Sequence, residues 1–410
     1  MDDPGPDHDG DSRLRPVQRG ERPVPPRVPA PLDWSAAGQE RRLAFLRERG
    51  IEVPHLAGNG GPVDAEAFRG NVEHFIGMAQ VPVGLIGPLR INGMHVHDDV
   101  YVPLATSEGA LVASYDRGAR LLSRAGGVSC MVTDQQVQRA PAFAFATLAQ
   151  AAAFAAWAAE QGEAFRAVAA RGSRFARLTD LRAYVEANRV YLLLAFSTGD
   201  AAGQNMVTFA AASICADILE RTPVRPEYWF VESNLSGDKK ATSGVFLRTR
   251  GRRVTAEALL PRALVQRGLR TTPERMCDCW RMGMIGGVQA GATGASSHVA
   301  NALAALFLAC GQDVACVGEA SVGVLRMEVR GGDLYVALTL PNLIVGTVGG
   351  GTRLPTAREC LSILDCVGEG RANRFAEICA AVALAGEISI VGALAAGEFA
   401  AAHQRLGRGQ

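Results

Sequence analysis

Lysine is almost absent from this chain of 410 residues. Only Lys239 and Lys240 carry an ammonium group, and every other one of the 42 basic residues is an arginine. An ammonium is a compact charge whose pKa moves readily on burial, whereas a guanidinium stays charged. The pair follows Ser-Gly-Asp, which is turn chemistry and by itself is typical of an exposed loop. The composition therefore marks the two lysines as candidates for a role that arginine cannot fill.

The chain also lacks net charge and aromatic side chains. It has 42 basic and 41 acidic residues, and 6% of its residues are aromatic. Because neither a basic field nor a set of stacking platforms is present, nucleic acid is not an expected partner. The N-terminus is polar and has no hydrophobic signal-peptide core. An apolar fraction of 48% predicts a globular protein with a sizeable core.

Neither a disulfide pattern nor a membrane span is evident. The nine cysteines are an odd number spread through apolar segments, and Cys277-Asp278-Cys279 has the wrong spacing for a zinc ribbon. We therefore expect reduced thiols, no metal and a cytoplasmic location. The uncharged stretch 282–312 has a continuous apolar part only at 302–310, far short of the ~20 residues that cross a bilayer. It predicts a buried helix and no membrane association.

The chain begins with a polar segment and continues as a series of short elements. Residues 1–31, rich in Asp, Arg, Pro and Gly, predict a disordered tail. Apolar periodicity and turn residues predict the later elements. These are a charged helix at 39–49, a hairpin turn at 91–94, a strand at 100–105, a helix at 110–123 capped by Thr106 or Ser107, an alanine-rich helix at 148–171, a strand at 189–197, a helix ending near 220, strands within 244–259, a helix at 285–309, a hairpin over 324–340 and a long helix at 373–403. The elements between 148 and 220 predict a compact α+β unit inserted in a larger domain.

Four titratable residues stand in unusual sequence surroundings. Glu108 opens a helix after an apolar strand, Lys239 follows a turn, Asp313 ends an uncharged helix, and His403 ends an alanine-rich helix. Each also has a structural explanation, as a helix-dipole partner, a surface lysine or a loop cap. Two glycine-rich segments, 197–205 and 346–352, match neither the Rossmann nor the Walker A pattern. They are either a different nucleotide site or tight turns.

The motifs gain meaning from their order. They are EHFIG at 73–77, PVGLIGPL at 82–89, ATSEG at 105–109, DAAGQNM at 200–206, DKK at 238–240, GQD at 311–313, GTVGGGT at 346–352 and LAAGEFAAAH at 394–403. In this order and spacing the sequence resembles the 3-hydroxy-3-methylglutaryl-CoA reductase family from about residue 43 to residue 403. The last two motifs resemble the NADPH-using class I, in its soluble bacterial type.

The resemblance implies an α+β fold with several segments. After an N-terminal helical segment (32–75), a large CoA-thioester-binding domain (76–140 and 242–410) surrounds a long buried helix. A small ferredoxin-like NADP-binding domain (141–229) is inserted, and the lysine loop (230–241) follows it. The implied reaction is the NADPH-dependent, four-electron reduction of an acyl-CoA to a primary alcohol, with 3-hydroxy-3-methylglutaryl-CoA giving mevalonate and CoA. The implied assembly is a homodimer or higher homo-oligomer with active sites between subunits.

The resemblance also implies roles for individual residues. Lys239 would stabilise the oxyanion that develops at each hydride transfer, Glu108 would donate a proton, Asp313 would bridge these two, and His403 would protonate the departing thiolate. The implied cofactor contacts are Ser173, Arg174, Phe175, Asp200, Gly203, Asn205, Gly349 and Gly350. The implied substrate contacts are Arg139, Glu232, Asn234, Asp238, Lys240 and Asn301. Arg174 would bind the 2′-phosphate, and Arg139 the free carboxylate of the acyl group.

Several positions depart from the family pattern. Glu232 stands where the family has serine, Ser236 where it has cysteine, Ala241 where it has proline, and Ala202 and Gln204 where it has methionine. A carboxylate at 232 facing the acyl carboxylate at ~4 Å would cost about 1–4 kcal/mol. A diverged enzyme that reduces another acyl thioester, on CoA or a carrier protein, is therefore an open alternative. A non-catalytic binding protein is disfavoured, because all four catalytic positions are retained.

Overall fold

The computed structural model describes residues 22–400, so the first part of the predicted tail and His403 lie outside the described residues. Residues 22–31, which the sequence assigns to the tail, pack on the protein. Val28 is buried with Phe45 and Tyr101, and the Tyr101 hydroxyl donates to the Pro26 carbonyl at 2.6 Å. The ordered part of the chain therefore begins before residue 32, because the Val28 side chain packs against Phe45 and the Pro26 carbonyl accepts a hydrogen bond from Tyr101.

The α-helices are interspersed with strands along the whole chain. They are α1 (Ala36–Arg47), α2 (Leu111–Arg124), α3 (Leu148–Glu160), α4 (Gly162–Gly172), α5 (Gln204–Arg221), α6 (Arg262–Leu269), α7 (Pro273–Gln289), α8 (Val299–Ala309), α9 (Val317–Ala320), α10 (Pro355–Ile363) and α11 (Ala372–Ala395). Short 3₁₀ turns cover Ala65–Phe68, Ser243–Phe246, Val314–Cys316 and Gly350–Arg353.

The strands join in one largely antiparallel sheet. They are β1 (Val83–Gly93), β2 (His97–Ala105), β3 (Val128–Arg139), β4 (Ala142–Ala144), β5 (Arg177–Glu186), β6 (Arg189–Ser197), β7 (Tyr228–Phe230), β8 (Gly251–Leu260), β9 (Val324–Arg330) and β10 (Asp333–Leu343). Their order is β7-β4-β6-β3-β8-β10-β9, with β5 on β6 and the β1–β2 hairpin joined to β3 through β1. The long strand β3 pairs with β8 in its first part and with β6 at its end, so it connects two structural units.

One of these units is the predicted ferredoxin-like insertion. Its elements follow the order β4, α3 and α4, β5, β6, α5, β7, a β-α-β-β-α-β arrangement. Its strands pair antiparallel in the order β7-β4-β6-β5. Its interior is aromatic, with Phe143, Phe145, Phe154 and Phe165 fully buried. The prediction of a small ferredoxin-like unit within an α+β fold is therefore confirmed.

The long buried helix of the large unit is α11. In the described residues α11 is long and apolar enough to cross a membrane, but 89% of its apolar window is buried inside the protein. It also carries two fully buried carboxylates, Glu377 and Glu387. It packs against α2, where Gly118 approaches so closely that an added Cβ would lie 1.9 Å from the Ala385 carbonyl oxygen. The helix is thus the centre of the core.

Three predicted helices differ from the observed ones, each for a local backbone reason. The helix predicted at 285–309 is interrupted between α7 and α8, where Gly291 and Gly294 have φ of 71° and 103°. The helix predicted at 148–171 breaks at Gln161 into α3 and α4. The helix predicted at 373–403 ends at Ala395, followed by Gly397 with φ 72°. At the first and third breaks a glycine in the left-handed region ends the helix. The apolar, alanine-rich composition of all three stretches predicted continuous helices because it does not show where the backbone changes direction.

Candidate active site

The lysine loop has an unusual backbone conformation. Lys239, Asn234 and Gly237 have φ of 57°, 66° and 73°, and this left-handed region is uncommon for residues other than glycine. The Lys239 backbone N–H donates to Oε1 of Glu319 at 3.1 Å. Such a backbone persists when its surroundings hold it in place. The buried carboxylate of Glu319 therefore fixes the direction in which the Lys239 side chain leaves the loop.

Lys239 and Asp313 form an ion pair at the end of this side chain. Nζ lies 2.9 Å from Oδ2, and both side chains are about two-fifths exposed. The hydrogen bond to Asp313 raises the pKa of Lys239. Burial raises the pKa of Asp313, but the hydrogen bond and charge of Lys239 outweigh it and leave that pKa below its ordinary value. The pair is therefore ionised at neutral pH, with an ammonium that faces solvent-accessible space.

Asp313 has two further donors. Its Oδ1 accepts the Ala315 N–H at 3.1 Å, which is the loop-cap role that the sequence allowed. Its Oδ2 also accepts the side-chain amide of Gln204 at 3.2 Å. Because Gln204 is the first residue of α5, this bond runs from the ferredoxin-like unit to the large unit. The sequence marked Gln204 only as a departure from the family pattern.

A buried charge network lies beneath the lysine loop. Nη1 of Arg250 lies 2.5 Å from Oε1 of Glu319, and its Nη2 lies 2.8 Å from Oδ1 of Asp238. The Asn342 amide donates to Oε2 of Glu319 at 2.9 Å. Burial raises the pKa of Glu319, while Arg250 opposes that shift. Sequence reasoning missed Arg250, Glu319 and Asn342, since they belong to three separate elements and to no local motif.

The Glu232 carboxylate binds groups of its own loop and of Arg139. Its Oε1 accepts the backbone N–H groups of Ser233 and Asn234 at 2.9 and 2.7 Å. Its Oε2 accepts Nη1 of Arg139 at 3.2 Å and the Ser236 hydroxyl at 3.1 Å. The serine that replaces cysteine in the family pattern therefore serves as a donor to the glutamate that replaces serine.

Arg139 is engaged inside the protein. Besides Glu232, its Nη1 donates to Oδ2 of Asp238 at 2.9 Å, and its Nη2 donates to the Gln204 carbonyl at 3.1 Å. The side chain is buried, and Asp238 lies between Arg139 and Arg250. Lys240 by contrast is exposed, with Nζ on the Asp238 carbonyl at 3.0 Å. Of the predicted acyl-carboxylate partners, Lys240 is thus the accessible one.

Glu108 lies at the other end of α8 from Asp313. Its Oε2 accepts the amide of Asn301, the third residue of α8, at 3.1 Å. Asp313 follows the end of this 11-residue helix, which rises about 16 Å. In one chain the structure therefore joins Lys239 with Asp313 and Glu108 with Asn301. The predicted bridge of Asp313 to Glu108 is not among the contacts that the described residues make.

The predicted cap of α2 is wrong. Ala110, with φ 67°, occupies the N-cap position and makes no side-chain cap bond. Thr106 instead accepts the backbone N–H of Glu108 at 2.9 Å in a tight turn before the helix. A left-handed residue between strand and helix holds Glu108 on an exposed turn.

The two glycine-rich segments lie together. Ala201 pairs with Val348 in a parallel bridge, and the Thr347 N–H donates to the Asp200 carbonyl at 2.9 Å. Gly346 permits this approach, because an added Cβ would lie 2.4 Å from the Ala202 nitrogen. Sequence spacing did not show that these two segments meet, and their contact places one glycine loop beside the start of α5.

This arrangement fits a dinucleotide phosphate. Gly203, with φ 79°, opens α5, an 18-residue helix whose N–H groups suit an anion. Gly349 and Gly350, with φ of 74° and 54°, are exposed, and an added Cβ at either would meet no neighbour within 4 Å. Asn205, the second residue of α5, is also exposed.

Asp200 plays a structural part in this region. Its carboxylate accepts the N–H groups of Gly370 at 2.8 Å and Ala372 at 3.0 Å, at the beginning of α11. Both oxygens are therefore used to anchor the core helix to the glycine-rich segment. The predicted cofactor contact of Asp200 stays a prediction.

The predicted adenosine-phosphate loop adjoins the same place. Ser173 accepts the N–H groups of Phe175 and Ala176, both at 3.2 Å, and the exposed Arg174 guanidinium lies 4.7 Å from the Phe175 ring centre. An added Cβ at Gly199 would lie 3.9 Å from that ring. The Phe175 ring thus lies between the Arg174 guanidinium and the glycine-rich segment that precedes α5. A guanidinium, a helix N-terminus and open glycine backbone are groups that bind the phosphates of a dinucleotide.

The fold and these contacts define a two-unit α+β protein in which the ion pair of Lys239 and Asp313 lies beside the start of α5. A family model described as hydroxymethylglutaryl-coenzyme A reductase matches residues 37–408. The 3-hydroxy-3-methylglutaryl-coenzyme A reductase of Pyrococcus abyssi is 42% identical over 385 residues, which is 92% of this chain and 94% of that protein. That of Aeropyrum pernix is 43% identical over 376 residues, 90% and 89% of the two chains. The chain belongs to the hydroxymethylglutaryl-coenzyme A reductase family and is an oxidoreductase.

The solved structures agree on the fold. The class II 3-hydroxy-3-methylglutaryl-CoA reductase from Streptococcus pneumoniae, bound to NADPH in open conformations, superposes with a TM-score of 0.71. The match covers 88% of this chain and 100% of that chain at 17% sequence identity. At this identity the likeness shows the shared architecture alone.

Proposed function

We propose that this chain catalyses the NADPH-dependent, four-electron reduction of 3-hydroxy-3-methylglutaryl-CoA to mevalonate and CoA. The observation that carries the proposal is the ion pair between Lys239 and Asp313 at 2.9 Å, set beside the glycine-lined start of α5. The relatives at about 40% identity carry this activity in their names and span nearly the whole chain.

Lys239 is the group that stabilises the reacting oxygen. When hydride adds to a thioester or aldehyde carbonyl, negative charge collects on its oxygen, and a preorganised cation lowers the barrier. The raised pKa of Lys239 keeps the ammonium protonated through neutral pH. Asp313 orients this ammonium, and Glu319 fixes the backbone from which it extends.

The cofactor assignment is NADPH, bound on the small unit at 141–229. Each NADPH molecule carries one hydride, so the two hydrides of the reaction would come from two dinucleotides bound in succession. Backbone N–H groups at the start of α5 and the open glycines at 349 and 350 would hold its diphosphate, and Arg174 would hold its 2′-phosphate. The TVGGGT loop and the terminal histidine motif support class I, in its bacterial type, as the proposed subtype.

The acyl end of the substrate is held chiefly by Lys240. The carboxylate of Glu232 accepts hydrogen bonds from its own loop and from Arg139. These partners offset its negative charge, so the repulsion of the acyl carboxylate that the sequence predicts at this position is reduced. The exposed ammonium of Lys240 donates one hydrogen bond to the Asp238 carbonyl, and its other N–H groups can pair with the acyl carboxylate.

A second candidate follows from Arg139. Its guanidinium is bound by Glu232 and Asp238 instead of facing open space. This favours an acyl group that needs no arginine partner, and hence a diverged reductase of another acyl thioester on CoA or a carrier protein. An assay with several acyl-CoAs distinguishes this candidate from a reductase of 3-hydroxy-3-methylglutaryl-CoA.

The active site is completed in a homodimer or higher homo-oligomer. Within one chain, Glu108 and the pair of Lys239 with Asp313 sit at opposite ends of α8, so the glutamate of one subunit and the lysine of another form one site. An apolar stripe on α7 suits burial in that assembly, because Met282, Ile285 and Val288 are 75%, 61% and 79% exposed. The nine free thiols, eight of them buried, suit a cytoplasmic enzyme.

The experiment is an NADPH-oxidation assay with 3-hydroxy-3-methylglutaryl-CoA beside a panel of acyl-CoAs. We expect turnover of the first that exceeds that of the others by at least about 100-fold in kcat/KM, a margin of roughly 2.7 kcal/mol. Lys239→Ala should abolish it, whereas Arg166→Ala, at an exposed position of α4, should not. Turnover of another acyl-CoA alone would support the second candidate, and full activity of Lys239→Ala would reject the mechanism.

A further inference from the structure

Gln204 makes four polar contacts from one position at the junction of the two units. Its side-chain Nε2 lies 3.2 Å from Oδ2 of Asp313 and 3.2 Å from Sγ of Cys316. Its carbonyl oxygen accepts Nη2 of Arg139 at 3.1 Å and the Thr208 hydroxyl at 2.8 Å. The first residue of α5 is thereby fixed to the large unit by both its main chain and its side chain.

The amide is chemically suited to this position. A glutamine amide nitrogen has two N–H donors, and here one faces the carboxylate and the other faces the buried sulfur. The methionine that the family pattern has at this position offers only a thioether, which donates no hydrogen bond. The Asp313 carboxylate of this chain therefore has one more donor than that pattern provides.

We propose that Gln204 is a positioning residue of the reductase site, which orients Asp313 and through it Lys239 and couples the start of α5 to the reacting centre. The inference rests on the proposed function. Asp313 is held on three sides, by Lys239, by the Ala315 N–H and by Gln204. Gln204 is the one residue of α5 that contacts this carboxylate among the described residues, so its loss should let the carboxylate turn with the Lys239 side chain.

The contact also has an electrostatic consequence. A donor to a carboxylate favours the ionised form, and the bond to Gln204 is one of the interactions that lower the pKa of Asp313 against the effect of burial. The titratable groups that act on the Lys239–Asp313 pair are Asp238 from the lysine loop and Cys316 from the 3₁₀ turn. Arg250 and Glu319 in turn act on Cys316. Cys316 loses its contact with the amide in the Gln204 variants, but burial raises the pKa of its thiol and keeps it uncharged. A shift in the pKa of Asp313 therefore reports on the loss of the amide.

The test compares the natural protein with Gln204→Met and Gln204→Leu, both of similar volume and without a donor. In the NADPH-oxidation assay we expect the acid limb of the kcat/KM profile to move up by about 0.3–1 pH unit, as the loss of one hydrogen bond to a partly exposed carboxylate predicts. We expect kcat to fall by about 3–30-fold while the KM for the acyl-CoA stays within about twofold. Ser213→Ala, at an exposed position of α5, is the matched control.

A second measurement does not depend on turnover. In protein labelled with ¹³C-aspartate, the carboxylate resonance of Asp313, assigned with Asp313→Asn, gives its pKa directly. We expect that pKa to rise in both Gln204 variants and to stay unchanged in Ser213→Ala. An unchanged pKa and pH profile in folded Gln204→Met and Gln204→Leu would overturn the inference. A natural protein that reduces no acyl-CoA would overturn the proposed function instead, and the titration would still decide the role of Gln204.

Discussion

Arg250 and Glu319 form a buried ion pair under the lysine loop, with Nη1 and Oε1 2.5 Å apart and side chains 1% and 0% exposed. Arg250 reaches the loop through Asp238, and Glu319 reaches it through the backbone N–H of Lys239. A pair of charges so far from water needs nearly every lone pair and proton to be satisfied. The lysine loop meets part of that requirement through Asp238 and the Lys239 N–H, and this ties the position of Lys239 to the core. Nε of Arg250 is buried without a hydrogen-bond partner among the described residues.

The first prediction concerns this pair. Arg250→Met removes the cation and leaves Glu319 charged in an apolar environment, which should lower the free energy of unfolding by about 3–5 kcal/mol. Urea denaturation measures it. The double variant Arg250→Met with Glu319→Gln removes both charges and should recover at least half of that loss. If the double variant is as unstable as the single one, buried charge is not the cause.

The second prediction concerns Asp313. Asp313→Asn removes the charge that raises the pKa of Lys239, so the folded-state pKa of this lysine should fall. A raised lysine pKa favours the protonated form below that pKa and loses its effect as pH rises through it. The alkaline limb of the kcat profile should therefore move to lower pH in Asp313→Asn, and kcat should fall by about 10²–10³-fold. An unmoved alkaline limb would mean that another group controls it.

The outcome of the sequence reasoning depended on whether a signal was local. The hairpin of β9 and β10, the strand β6 and a compact α+β unit between residues 148 and 220 were predicted, because alternation and helical spacing are local patterns. The ferredoxin-like character of that unit was implied by the family resemblance. Lys239 and Asp313 were singled out together only through motif order, and the structure brings them into contact. Arg250 and Gln204 could not be assigned their contacts, because those partners come from distant segments that meet only in the folded chain.

The third prediction concerns Glu232. Its carboxylate holds backbone N–H groups and Arg139, so Glu232→Ala leaves buried donors unpaired. We expect kcat/KM for the acyl-CoA to fall by at least about 10-fold and the free energy of unfolding to fall by about 1–3 kcal/mol. Steady-state kinetics and urea denaturation measure these. Glu232→Gln, which keeps an acceptor oxygen, is the matched control and should lose less. An improved KM in Glu232→Ala would instead indicate that Glu232 repels the substrate.

The fourth prediction is a pH dependence of stability centred on Glu377. Burial raises its pKa to about 7, although the N–H groups of Met94, His95 and Val96 act in the opposite direction. A folded-state pKa above the unfolded value favours the protonated form, so this stabilisation is present at low pH and is lost as pH rises through about 7. The stability of the natural protein relative to Glu377→Gln should fall by on the order of 1–3 kcal/mol between pH 4.5 and 8. Urea denaturation at several pH values measures it, and a constant difference would contradict the assignment.

The fifth prediction concerns the contact between α2 and α11. A Cβ added at Gly118 would lie 1.9 Å from the Ala385 carbonyl oxygen, and both are backbone positions that cannot rotate away. Gly118→Ala should therefore push the two helices apart and lower the free energy of unfolding by at least about 2 kcal/mol. Gly162→Ala is the matched control, since its Cβ would meet only the end of the flexible Arg166 side chain at 4.0 Å, and it should be neutral or slightly stabilising. Glu108 precedes α2 by only a few residues, so the Gly118→Ala protein that still folds should also have a lower kcat. If its stability falls but its kcat is unchanged, α2 moves without displacing Glu108.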